Sequence, residues 1–252
     1  RFDLLLPMLD AAVYNQNRQR SDLRLFEFGK VYTAAEEGYR EKNGVGILFN
    51  GLRRPASWDG KKQEYSFYHI RSVVEQVLIA GGFSLSRLQF VAGADYAQLE
   101  ETMEVRHEED TAVVFGRVRK KLMKQWGLQG PTWFAFYDLD VLQQFGAAAP
   151  LRASEPPRFP EVHRDLSMIL NRGTRYAELE QLAFQTDKGL LRAVSLFDVY
   201  EDEKLGEHKK SYALSFVLRD DEKTLTDKEI DKAMQRLMDA FEKQLGAVIR
   251  KA

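Results

Sequence analysis

Between His163 and Arg250 the apolar pattern switches repeatedly between a period of two and a period near 3.6, and the order of those switches leaves very few topologies open. His163–Leu170 (HRDLSMIL) alternates, with Leu166, Met168 and Leu170 on one face and Asp165, Ser167 and Ile169 on the other, as a strand covered on one side does. After Thr174, Tyr176, Leu179, Leu182 and Ala183 share a helical stripe, and Gly189 stands where that helix would stop. Leu191–Tyr200 (LRAVSLFDVY) and Ser211–Arg219 (SYALSFVLR) are rich in branched and aromatic residues and predict a hairpin joined by the charged loop Glu201–Lys210. Thr226-Asp-Lys-Glu229 has the spacing of a capping box, in which the threonine oxygen and the glutamate carboxylate each satisfy a free N–H at a helix start. The helix it opens carries Ile230, Met234, Leu237, Phe241 and Leu245 in one stripe, and Ala247–Arg250 predicts a closing strand. The resulting βαββαβ order is the ferredoxin-like arrangement, with both helices on one sheet face and the other face free. Function is to be sought on that free face.

Upstream, Gly146–Pro157 (GAAAPLRASEPP) replaces periodic patterning with alanine, proline and small residues, as a tether does. The expected organisation is a domain over 1–145, a linker over 146–157 and a second domain over 158–252. In the first, Pro7 suits the opening turn of a helix running to about Asn17, with Met8, Leu9, Ala12 and Val13 on its apolar side. Strands are predicted at Leu23–Tyr32, Gly46–Asn50, Leu88–Val91, Thr102–His107, Thr111–Arg117 and Thr132–Tyr137. Helices are predicted at Phe67–Ile79, ending at Gly81-Gly82, and at the basic segment Lys120–Trp126. The class is α+β throughout, with a mixed, mainly antiparallel sheet in the first domain.

Charge and composition narrow the function classes. Of 37 basic and 38 acidic side chains, 17 and 18 fall from Arg158 onward, leaving 20 of each before it. Neither half is a basic module, so contact with a nucleic acid has to come from a local patch. The chain has no cysteine, which removes disulfides, thiolate zinc sites and a cysteine nucleophile and points to the reducing cytoplasm. Its longest apolar runs, such as Asp3–Val13 and Val73–Ala80, fall well short of the roughly 20 residues of a membrane span. An opening at Arg1 that runs straight into Leu4, Leu5 and Leu6 suggests a piece of a longer protein.

Taken together, Phe159-Pro-Glu-Val-His-Arg-Asp-Leu166, Leu196-Phe-Asp-Val-Tyr200, Lys210-Ser-Tyr-Ala213 and Thr224-Leu-Thr-Asp-Lys-Glu-Ile230 closely resemble the ferredoxin-fold anticodon-binding domain that ends the β subunit of bacterial phenylalanyl-tRNA synthetase. Val13-Tyr-Asn-Gln-Asn-Arg18 and Arg24-Leu-Phe-Glu-Phe-Gly29 look like the class II synthetase-like domain that precedes it. The resemblance implies an α2β2 tetramer that joins phenylalanine to its tRNA with ATP and magnesium at an active site in the α subunit. It further implies that this chain holds neither cofactor, that its first domain is catalytically silent and packs against α, and that its second domain meets the anticodon region of phenylalanine tRNA.

The residues are read beside that resemblance. Arg24 and Glu27 lie on one predicted strand but three positions apart, so they face opposite sides of the pleat and make a poor ATP cradle. His69, His107, His163 and His208 show no paired metal-ligand spacing, and no glycine-rich phosphate loop is present. For RNA the candidates are Arg158, Arg164, Tyr200, Lys209, Lys210, Ser211 and Arg219, cations and an aromatic around one sheet. Plainer readings stand beside them: Tyr200 as a half-buried hairpin aromatic, Lys209 and Lys210 as solvated loop charges, Arg164 as a structural partner. Phe197 and Phe216 read as core. Apolar area in Phe2–Tyr14 and Trp126–Phe136 reads as core or as subunit interface. A different class, a ligand-sensing regulatory protein, would use the turn Asn171-Arg-Gly-Thr174 as an amino-acid cradle, since the ferredoxin-like fold by itself fixes no function.

Overall fold

A computed structural model describes residues 1–35, 38–145, 156–202 and 205–250. The chain divides into two compact units, Arg1–Arg152 and Ala153–Ala252. The tether expected over 146–157 lies outside the described residues except for Pro156 and Pro157.

The first unit begins with helix α1 (Leu5–Gln16), then strands β1 (Leu23–Ala34) and β2 (Tyr39–Asn50). A small hairpin, β3 (Leu52–Arg54) and β4 (Gln63–Glu64), leads to helix α2 (Phe67–Ala80). Strands β5 (Gln89–Ala92), β6 (Leu99–His107) and β7 (Asp110–Val118), helix α3 (Lys120–Trp126), strand β8 (Thr132–Asp138) and helix α4 (Leu139–Gln144) complete it. The six long strands form one sheet in the order β1-β2-β8-β7-β6-β5, antiparallel at every step. Both faces are filled. On one, Leu4, Leu9 and Met123 pack with Leu48, Val118 and Phe134. On the other, Ile70, Val74 and Leu142 pack with Phe115, Ala135 and Tyr137. The close approach of α1 is possible because Gly46 lacks a side chain: a Cβ there would sit 2.8 Å from the Met8 sulfur and 3.1 Å from Leu4 Cβ.

Three features depart from the expectations. β2 starts at Tyr39, not Gly46, because cross-strand pairing with β1 runs on to Ala34↔Tyr39 through residues that carry no apolar signal. The β3–β4 hairpin and α4 are too short to show a period. The start of α2 uses Ser66 and His69 as a capping box, with the Ser66 N–H donating to His69 Nδ1 at 3.0 Å. Burial and the nearby Arg53 hold the His69 imidazole below its usual range, which keeps Nδ1 free to accept.

Glu104 is the most heavily engaged buried charge of this unit. At 2% exposure it accepts from the Ala94 N–H (3.0 Å), the Tyr96 hydroxyl (2.9 Å), Thr111 Oγ1 (3.2 Å) and Arg106 Nε (2.7 Å), tying the β5–β6 connection to the sheet. Burial pushes its pKa up, but these donors outweigh that and hold it at about 2, while burial and Glu104 push the Tyr96 hydroxyl up to about 12. A carboxyl whose pKa falls on folding contributes stability above its unfolded value and loses it as the pH falls towards its folded value. Urea denaturation between pH 5 and about 2 should therefore show a steep acid loss of stability that Glu104→Gln flattens. At pH 7 the same variant should be less stable by about 2–4 kcal/mol.

The second unit runs β9 (Val162–Asn171), α5 (Tyr176–Thr186), β10 (Leu191–Tyr200), β11 (Lys209–Leu218), α6 (Asp227–Leu245) and β12 (Val248–Arg250). Its sheet order is β10-β11-β9-β12, antiparallel throughout, which is the βαββαβ order expected. Leu166, Met168, Leu170, Leu214, Phe216 and Leu218 point to the helices and meet Leu179, Leu182, Ile230, Leu237 and Phe241 in one core. The α6 stripe and its capping box are present, with Glu229 accepting from the Thr226 N–H at 3.0 Å, and Gly246 ends the helix at φ 61°. Asp187, almost wholly buried after α5, accepts from the Gly189 and Leu190 N–H groups and from Arg236 of α6, so the end of one helix is clamped to the other.

Candidate nucleic-acid interface

Both helices of the second unit lie on one side of its sheet, so the odd-numbered positions of β9 and β11 face away from them. Ser167, Ile169, Ser211, Ala213 and Ser215 stand on that uncovered face, with Val248 and Arg250 of β12 opposite Ile169 and Ser167. The middle is floored by small side chains. A shallow trough of about 600 Å3 is lined by Asp165, Ser167, Ala213, Phe197 and Arg250 together with Leu166, Met238 and Ile249, which belong to the helix-side core. Flat hydroxyl-bearing floor, aromatic rim and a cation together suit an unpaired base, which offers a π face and hydrogen-bonding edges.

The expected site residues do not all reach this face. Tyr200 does: it pairs with Ser211, is 48% exposed, and its hydroxyl donates to Asp202 at 2.6 Å, a bond that raises the hydroxyl pKa. Lys209 is on the same face at the same end, its Nζ donating to Asn171 Oδ1 at 2.7 Å. Ser211 shares the face but is buried between its strand neighbours. Lys210 points the other way. It is 7% exposed, and its ammonium donates to the Thr174 carbonyl (2.6 Å) and the Tyr212 hydroxyl (2.7 Å) on the helix side. Arg164 pairs with the core residue Phe216, hence shares its face, and donates to the His163 carbonyl. Arg219 follows β11 at the far end of the sheet, about 30 Å along the strand from Lys209, and is held by Glu161 and Asp221. Arg158 is exposed in the bend before β9.

Phe197, read from the sequence as core, is 59% exposed and lines the trough. The cause is two β-bulges in β10. Its register with β11 slips between Leu191 and Ala193 and again between Leu196 and Asp198, so strict alternation fails and Phe197 is displaced to the open side. A sequence signal was available: the aliphatic residues Leu191, Val194, Leu196 and Val199 are spaced three, two and three apart, not by twos. Phe216 is core as expected. Arg250 and Val248 were also missed, because a three-residue strand has too little pattern to assign faces.

The turn that a ligand sensor would use is already tied down, since the Thr174 carbonyl is taken by Lys210. Lys210→Ala should lower the unfolding free energy of the chain by about 1–3 kcal/mol in urea titration, through the lost hydrogen bonds and packing.

In the first unit Arg24 and Glu27 do lie on opposite faces of β1. Arg24 donates to the Tyr65 hydroxyl (2.6 Å) and the Arg53 carbonyl (3.0 Å), and Glu27 accepts from Arg1 (2.6 Å). Among the described residues no cluster of three or more His, Asp or Glu side chains is arranged to hold a metal ion, and no helix is long and apolar enough to cross a membrane.

Comparison with known proteins finds two family models. Residues 1–139 match the family model described as the phenylalanyl tRNA synthetase beta chain CLM domain, and residues 157–250 match the ferredoxin-fold anticodon binding domain. Similar curated proteins are named phenylalanine–tRNA ligase beta subunit. That of Porphyromonas gingivalis is 38% identical over 99% of this chain and 32% of its own length. That of Bacteroides fragilis is 34% identical over 99% and 32%, and that of Bacillus cereus 30% identical over 100% and 31%. The chain thus spans about a third of the length of the curated relatives it matches. A pyrrolysyl tRNA synthetase structure from Desulfitobacterium hafniense aligns over 57% of this chain and 48% of that one at 15% identity, with a TM-score of 0.43, too low to establish a shared fold.

Proposed function

Because the chain belongs to the phenylalanyl-tRNA synthetase β-chain family, we propose that the open face of its second unit receives the anticodon loop of phenylalanine tRNA, while its first unit is a non-catalytic scaffold for the α subunit. The observation that carries the first part is the uncovered sheet face with Phe197 and Tyr200 exposed beside a floor of serine and alanine. Stacking on exposed rings contributes about 1–3 kcal/mol per base and does not need the broad positive field that this chain lacks.

The scaffold reading rests on the first unit's chemistry. Both faces of its sheet are occupied by helices and apolar side chains, and Arg24 and Glu27 are split between them and engaged elsewhere. These residues do not fit an ATP and magnesium site, and we assign that site to the α subunit of an α2β2 ligase. A docking surface for α is available on the edge strand β1, where Phe26 and Phe28 are 71% and 68% exposed and meet edge to face at 6.0 Å. Of the two segments read from the sequence as core or interface, Leu4, Leu5, Met8, Leu9, Trp133 and Phe134 are buried in the unit's own core, while Phe2 and Tyr14 are exposed. Exposed aromatic pairs of this kind are enriched at interfaces.

The test is titration of the full chain with phenylalanine tRNA and with the same tRNA altered only in its anticodon. The native anticodon should bind more tightly, and Phe197→Ala should weaken it about 10-fold or more while barely changing the altered tRNA. Equal or absent binding of both would rule out anticodon contact. Phe26→Ser with Phe28→Ser should lower co-purification with the α subunit and leave tRNA discrimination intact.

A further inference from the structure

The β3–β4 hairpin carries the most exposed large hydrophobic side chain among the described residues. Trp58 is 99% exposed at its tip. The tip is nevertheless ordered: the Ser57 N–H donates to the Gly60 carbonyl (3.0 Å), and the Gly60 N–H donates back to the Ser57 carbonyl (3.2 Å). Asp59 accepts from Ser57 Oγ and from Arg54, both at 2.6 Å. The root is anchored as well, by the Leu52 N–H on Asp22 (2.7 Å) and by Arg24 on the Arg53 carbonyl (3.0 Å). A rigid turn therefore holds an indole in water, where its apolar surface is unfavourable unless something covers it.

The neighbours indicate what covers it. The segment LRRPASWDGKKQE carries Arg53, Arg54, Lys61 and Lys62 against Asp59 and Glu64. Asp59 is committed to Arg54, and Arg53, Lys61 and Lys62 make no ion pair among the described residues. The centre of a protein interface is depleted of charge, so a lone ring set among free cations is a poor protein anchor. An aromatic face flanked by cations matches an unpaired base and its phosphates.

We propose that the Leu52–Glu64 hairpin is a second RNA contact, in which Trp58 stacks on an unpaired base while Arg53, Lys61 and Lys62 hold the flanking phosphates. This rests on the reading that the chain's ligand is a tRNA, but on a different unit from the anticodon face. It also gives a locally basic site to a chain whose charges otherwise cancel.

The full chain is titrated with phenylalanine tRNA while tryptophan emission and tRNA anisotropy are both followed. Trp133 is in the core and Trp126 is half-buried with its indole N–H on Asp10, so the difference in emission between the native chain and Trp58→Phe isolates the Trp58 signal. Emission should be quenched on binding in the native chain and not in Trp58→Phe. Trp58→Ala should weaken binding about 10-fold, with Trp58→Phe retaining most of the affinity. Lys61→Gln with Lys62→Gln should reduce the slope of log affinity against log salt by about 2. Because Trp58 packs against nothing, Trp58→Ala should melt with the native chain. If Trp58→Ala binds tRNA as tightly as the native chain, or if emission changes only when the α subunit is added, the proposal fails, whatever happens at the anticodon. If anticodon discrimination is absent but the Trp58 effects remain, the hairpin contact stands and the open-face reading falls.

Discussion

The packing of α5 and α6 on the same side of a four-stranded sheet governs the second unit. The βαββαβ connections force both helices onto one face, so Leu166, Met168, Leu214, Phe216, Leu237 and Phe241 form a core on one side of the strands only. The other side has to remain soluble without a covering layer. Its centre does so with Ser167, Ala213 and Ser215, which leave little apolar area in water, and its rim carries the exceptions, Phe197, Tyr200 and Val248. Those exceptions are affordable because the covered side supplies the stability, with Asp187 clamping the two helices to each other through Arg236.

The first unit solves the same problem differently. Helices cover both faces of its six-stranded sheet, so the surfaces we propose for it are an edge strand and a projecting hairpin. Many of its charges are paired locally: Glu104 with Arg106, Asp138 with Lys42, Arg117 with Glu100 and Glu101. Near-neutrality of the whole chain is thus compatible with small sites where cations stand beside exposed rings, since screening limits each charge to about 8–10 Å of influence.

Legibility varied with length and regularity. The α6 stripe and its capping box could be read directly because nineteen residues of one period leave little ambiguity. The basic helix α3 was likewise visible from Lys120 to Trp126. The candidate site was legible in part: Tyr200 and Lys209 are on the open face, but Lys210, one residue on, is turned into the helix side by the pleat. Phe197 went unrecognised because a bulge moves a residue without changing its identity. Trp58 carried no period to read, being a single ring in a short polar hairpin.

The sequence by itself determined the βαββαβ order, the α+β class and the near-neutral balance of charge within each half, because period, caps and composition are local properties of the chain. Which side of each strand meets solvent was decided only by the folded sheet. Bulges, strand register and the position of the helices set that together, through contacts between residues far apart in sequence such as Tyr200 with Ser211 and Arg250 with Ser167. No local pattern encodes such pairings one by one, since they follow from burying the largest apolar area that the connections allow.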